Sequence, residues 1–121
     1  MAAAGQATYR ATSAKSVHEE PSVTLTEWLI VQAMDTGHLH FVGRKPDGKG
    51  RISSPIEEFD LPTMSGRTSS GRHYRLEGDK AKNHCSAAIV IAKSWGDHMV
   101  GRVCAVPLEE AVMLLPAKGS A

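Results

Sequence analysis

Cysteine is scarce in this chain, aromatic residues are few, and neither sign of charge predominates. Cys85 and Cys104 are the only cysteines among 121 residues. A disulfide scaffold of this length would carry more, so two thiols point to a reduced, cytoplasmic protein. The longest unbroken apolar run, Ala87 to Ala92, is far short of the roughly 20 residues a membrane helix needs. Fourteen Lys and Arg against thirteen Asp and Glu leave a net charge of +1. That balance excludes a polybasic tail or an acidic nucleic-acid mimic acting through gross charge. Motifs for cofactors are lacking too. No Gly-x-x-x-x-Gly-Lys-Ser/Thr loop, Gly-x-Ser-x-Gly elbow, Cys-x-x-Cys or His-Glu-x-x-His occurs, so no cofactor is expected.

What is present is ordinary globular material, 41% apolar and 22% charged. The chain is long enough for one domain and needs neither disulfide nor metal to fold. Residues 1–22 read as a disordered leader. The first sixteen hold Ala, Ser, Thr and Gln with two basic residues, no acid and no apolar core of a signal peptide. Residues 23–115 read as a single domain and residues 116–121 as a frayed tail.

Leu25 to Met34 carries the aromatic and β-branched run Trp28-Leu29-Ile30-Val31 and is the clearest strand. Asp35-Thr36-Gly37 then turns the chain into His38–Val42. There Leu39 and Phe41 share one face, and His38, His40 and Val42 the other. The two segments are expected to form an antiparallel hairpin. Arg51 to Ser54 is a third strand, cut at Pro55, and Ile56–Leu61 is ambiguous. Gly71–Gly78 is a further strand, with Tyr74 and Leu76 pointing one way. The repeated Ser-Gly-Arg at 65–67 and 70–72 reads as loop composition. Asp79 caps a helix whose stripe is Ala81, Cys85, Ala88, Ala92 and Trp95, though residues 87–92 fit a buried strand as well. Met99–Val106 reads as a strand, and Pro107 opens a helix through Leu115 with Glu109 and Glu110 in its first turn. The expectation is an α+β domain. It has a small, mainly antiparallel sheet of four to five strands, with one or two helices of the C-terminal third packed on one face.

Basic residues concentrate between Gly43 and Asn83, nine against six acids. Arg44, Lys45, Lys49 and Arg51 surround a glycine-rich turn, and Arg67, Arg72 and Arg75 lie among Ser, Thr and Gly. Arginines, hydroxyls and free amides are what phosphate contacts use, so these seven form the candidate binding surface for nucleic acid or an acidic protein face. His38 and His40 share a strand face and form half a metal site, which His84, Cys85, His98 and Cys104 would have to complete. Cys85 near a helix N-terminus is a candidate nucleophile, but it also falls on the apolar stripe. Glu57, Glu58 and Asp60 read as a solvated face. The balance favours a binding module, not an enzyme. The alternatives are a nucleic-acid accessory protein and a small Cys/His zinc-binding or thiol enzyme. An open sheet edge would allow a homodimer or strand pairing with a partner, and Pro55 with the charges near Lys45 blunts only one edge.

Glu27–Arg44, EWLIVQAMDTGHLHFVGR, and Thr68–Gly78, TSSGRHYRLEG, resemble small hypothetical accessory proteins of proteobacterial plasmids and phages. The resemblance implies a mobile-element setting and a host macromolecule as partner. It admits a nucleic-acid accessory protein or an inhibitor of a host nucleoprotein defence complex of the anti-CRISPR kind. It brings no catalytic or cofactor residue with it.

Overall fold

The computed structural model describes residues 16–80, 90–91 and 93–116. It contains β1 (Ser22–Ala33), β2 (Leu39–Arg44), β3 (Gly50–Ile52), β4 (Ile56–Asp60), β5 (Ser65–Thr68) and β6 (His73–Leu76). A 3-10 helix (Asp97–Arg102), β7 (Val103–Ala105) and α1 (Leu108–Leu114) complete the order. Residues 90–91 and 93–95 are also helical. The protein is α+β and mostly sheet. Its strands run β3-β2-β1-β6-β5-β4, with β7 also on β1. Every pair is antiparallel except β1 with β6, so the sheet is mixed.

β1 organises this arrangement because it is bent at Glu27. Its first half, Ser22–Leu25, pairs with β6, and its second half pairs with β2 on one edge and β7 on the other. The pairing with β2 shifts between Thr26 and Leu29, where Glu27 has a φ of 48°. Such a bulge inserts one residue and resets the two-residue alternation. Val23, Leu25, Trp28 and Ile30 therefore all enter one core, with Phe41, Phe59, Tyr74 and Leu76. Leu29 and Val31 turn the other way and join Val42 in a second, smaller core.

Both faces of the central strands are thus apolar, and both need cover. Ala111 of α1 is fully buried against the first core, with Leu108, Val112 and Leu115 beside it. Val90, Ile52 and Val103 pack on the second. The expectation of helices on one face is corrected by this two-sided covering. His40 belongs to the second side. Its Nδ1 lies 2.8 Å from the Ser53 carbonyl oxygen, and its ring meets Trp95 edge-on at 4.7 Å.

Among the described residues, seven strands replace the four to five expected. Ser65–Thr68, read as loop, is β5, and Ile56–Asp60 is β4. β5 lacks an apolar pattern because its two buried residues are Gly66 and Thr68, neither of them a large apolar side chain. A Cβ at Gly66 would lie 2.5 Å from the Glu58 carbonyl oxygen and 3.0 Å from Phe41. The missing side chain makes room for the two phenylalanines, whose ring centroids are 5.9 Å apart. The first part of the expected strand Met99–Val106 is the 3-10 helix, and only Val103–Ala105 is extended. The helix opened by Pro107 is present as α1, with Glu109 and Glu110 in its first turn. Asp79 is in a bend, while Ala81, Cys85, Ala88 and Ala92 lie outside the described residues. Val90 and Ile91, where the strand alternative was open, are helical. At the other end, residues 16–22 belong with the fold. A turn precedes β1, and the Pro21 carbonyl accepts the His73 N–H at 2.9 Å.

Candidate docking surface

Six of the seven basic candidates divide into two groups that differ in solvent, and Lys49 stands apart at the β2–β3 turn. The first is buried. Arg51 on β3 is 2% exposed and Arg72, before β6, 6%. Both converge on Glu20, the last residue before Pro21. Arg51 Nη2 lies 2.7 Å from Glu20 Oε1, and Arg51 Nη1 donates to the Tyr74 hydroxyl at 3.2 Å. Arg72 Nε donates to the Glu20 carbonyl at 2.8 Å, and Lys45 Nζ lies 3.2 Å from Glu20 Oε2. Burial by itself would raise the Glu20 carboxyl. The hydrogen bonds and charges of Arg51 and Lys45 outweigh it and hold the group below its ordinary value. Arg51 and Arg72 are therefore internal clasps for the N-terminal segment and are withdrawn from the surface expected to meet a phosphate. The window of sequence that holds them does not contain Glu20, so charge counting did not reveal the arrangement.

The second group lies on the outer face of the sheet. The register sets two cross-strand rows there, since paired residues of neighbouring strands point to the same side. One row reads Ser22, His73, Arg67, Glu58, and the other Thr24, Arg75, Ser65, Asp60. Thr26 pairs with Arg44 and extends the face onto β2. The inward residues of the same strands, among them Val23, Leu25, Phe59 and Tyr74, are buried. This alternation makes one side core and leaves the other to solvent.

Each arginine of this face has a carboxylate beside it. Arg67 Nη1 is 2.6 Å from Glu57 Oε1 and its Nη2 is 3.5 Å from Glu58 Oε1. Arg75 is 3.6 Å from Glu77, and Arg44 is 3.2 Å from Glu27. At the β2–β3 turn, Lys45 also approaches Asp47 at 3.8 Å. Asp47 accepts the Lys49 backbone N–H at 2.9 Å, a bond that lowers its pKa. Lys49 is the one candidate whose side chain has no carboxylate within 4 Å among the described residues. The surface expected to be cationic thus carries both signs in alternation. Its acids, read in sequence as a solvated face, determine its character as much as its arginines do.

The histidine and cysteine candidates do not converge. His38 and His40 have ring centroids 6.4 Å apart, but His40 is buried and engaged with Ser53. Burial lowers its pKa, more than the Ser53 hydrogen bond and the Asp35 charge raise it, and the His38 charge lowers it further. Cys104 is exposed on β7, with its Sγ 3.4 Å from Met34 Sδ. His98 is on the 3-10 helix, and His84 and Cys85 lie outside the described residues. Among the described residues, no three of His, Cys, Asp and Glu form a metal-binding group, and no helix is long and apolar enough to cross a membrane. In comparisons with known proteins, no family model, curated protein or solved structure matches this chain.

Proposed function

We propose that this chain is a binding module, without a catalytic step, that docks on a protein surface of mixed charge through the outer face of β4, β5, β6 and the first half of β1, with Arg44 at the end of β2. The observation that supports this reading is the pairing of Arg44, Arg67 and Arg75 with acids of the same surface. A polyanion approaching this face would meet Glu57, Glu58 and Asp60 together with the arginines and gain little from counterion release. A protein partner exchanges the exposed intramolecular pairs for intermolecular ones at low cost, because such pairs contribute little in water. The intervening hydroxyls of Ser22, Thr24 and Ser65 add hydrogen bonds at the same surface. In the mobile-element setting, the partner would be a host protein or the protein part of a host nucleoprotein defence complex.

The test places a photo-crosslinking residue at Thr24, in the middle of the face, and at Lys93 as an off-face control, in the source cell. Crosslinks to one protein from position 24 and not from 93 are expected. Binding of that purified protein should weaken with Arg75→Glu. A parallel titration with single- and double-stranded DNA and RNA separates the other reading. Nucleic-acid binding at about 150 mM salt, with a salt slope that Arg67→Ala or Arg75→Ala reduces, would replace the protein partner with nucleic acid.

A further inference from the structure

β7 is an edge strand whose outward hydrogen-bonding groups have no partner among the described residues. It is bonded to β1 through Arg102, Cys104 and Val106. The Arg102 carbonyl accepts the Met34 N–H at 2.8 Å, the Val106 N–H donates to the Ile30 carbonyl at 2.8 Å, and Cys104 pairs with Gln32 between them. Backbone groups alternate sides along a strand, so those of Val103 and Ala105 face away from β1. Among the described residues, no strand other than β1 pairs with β7. The segment Val103-Cys104-Ala105 carries no charge, proline or bulge, the devices that normally stop an edge from pairing; only its shortness limits it. Cys104 and Ala105 are exposed, and Met34, 60% exposed, lies beside the Cys104 thiol.

We infer that β7 is a self-association edge, and that its partner is the β7 of a second copy of this chain, antiparallel about a two-fold axis at Cys104. An antiparallel edge is self-complementary. Val103 of each copy faces Ala105 of the other, and their outward N–H and carbonyl groups satisfy one another in about four hydrogen bonds. The same symmetry places the two Cys104 residues directly opposite in a non-hydrogen-bonded pair, with Cα atoms about 4.5 Å apart. That separation suits a cross-link between thiols. Three residues make an interface well below the size of a stable dimer's, so the dimer is weak and reversible.

The experiment is bis-maleimide cross-linking of the Cys85→Ser chain, in which Cys104 is the only thiol, alongside sedimentation velocity of the wild-type protein from micromolar to millimolar concentration. A covalent dimer and a concentration-dependent shift in sedimentation are expected. Ala105→Pro removes an outward N–H and leaves the bonds to β1 intact, so it should weaken association at least tenfold and abolish the cross-link. Cys104→Lys places like charges at the two-fold axis and should do the same to sedimentation, with an unchanged circular dichroism spectrum in both variants. If Cys85→Ser does not fold, wild type against Cys104→Ser gives the same reading, the covalent dimer being lost with Cys104. A protein that stays monomeric at millimolar concentration overturns the inference. So does a dimer that persists in Ala105→Pro and Cys104→Lys, since it must use another surface.

Discussion

The ion pair of Arg51 with Glu20 and that of Arg67 with Glu57 have nearly the same length, 2.7 and 2.6 Å, in opposite surroundings. Arg51 is almost completely enclosed, next to Tyr74 and the first core, whereas Arg67 and Glu57 stand on the outer face of β4 and β5. Distance alone would rank the two as equals. Solvent separates them, because a buried charge that loses its partner has no water to replace it, and an exposed one does. The protein therefore uses one residue type for two purposes: arginine inside holds the N-terminal segment to the sheet, and arginine outside remains exchangeable.

The largest expected effect comes from breaking the buried side. Glu20→Ala leaves Arg51 enclosed without its carboxylate and releases the segment before β1. It should destabilise the fold by about 3–5 kcal/mol, read as a lower urea midpoint. Tyr74→Phe keeps the ring against Phe41 and removes only the hydroxyl that accepts from Arg51. The loss should be about 1–3 kcal/mol in the same titration, since a hydrogen-bond partner of a buried cation disappears.

Acid should sharpen the comparison. Glu20 is held below 4.5 in the fold, so the unfolded chain binds that proton more readily. Its stabilisation is complete above pH 4.5 and fades as pH falls below it. Buried His40 lies below 6.5 in the fold, with Asp35 and His38 as the charges acting on it. Its contribution is complete above pH 6.5 and fades as pH falls through lower values. Unfolding measured against pH should therefore weaken in two stages. Glu20→Gln should remove the lower stage and His40→Gln the upper. The smallest effect belongs to the exposed side. Arg67→Ala should leave the unfolding midpoint within error, and any consequence should appear only in partner binding.

Several elements were legible in the residues alone. Trp28-Leu29-Ile30-Val31 and the alternation of Leu39 and Phe41 announced the hairpin of β1 and β2, and Tyr74 and Leu76 the inward side of β6. Pro107 with Glu109 and Glu110 marked α1. These signals are local, since each follows from propensity and period within a few residues. β5 was hidden because its buried positions are Gly66 and Thr68, and the role of the glycine depends on Phe41 and Phe59 from distant strands. The seven basic residues were all visible, yet their surroundings were not.

By itself, the sequence determined the alternation that gives β6 a core side and a solvent side, the turn at Gly37, the glycine-rich turn between Lys45 and Lys49, and the near-neutral charge. Tertiary structure decided the bulge at Glu27, the parallel pairing of β1 with β6, and the helical cover on both faces. It also decided which arginines are enclosed and which stay in water. Glu20 meets Arg51 across 31 positions and Arg72 across 52, so burial and pairing depend on contacts that no local pattern encodes. A charge acquires its energetic weight only when the chain has settled which groups, and how much water, surround it.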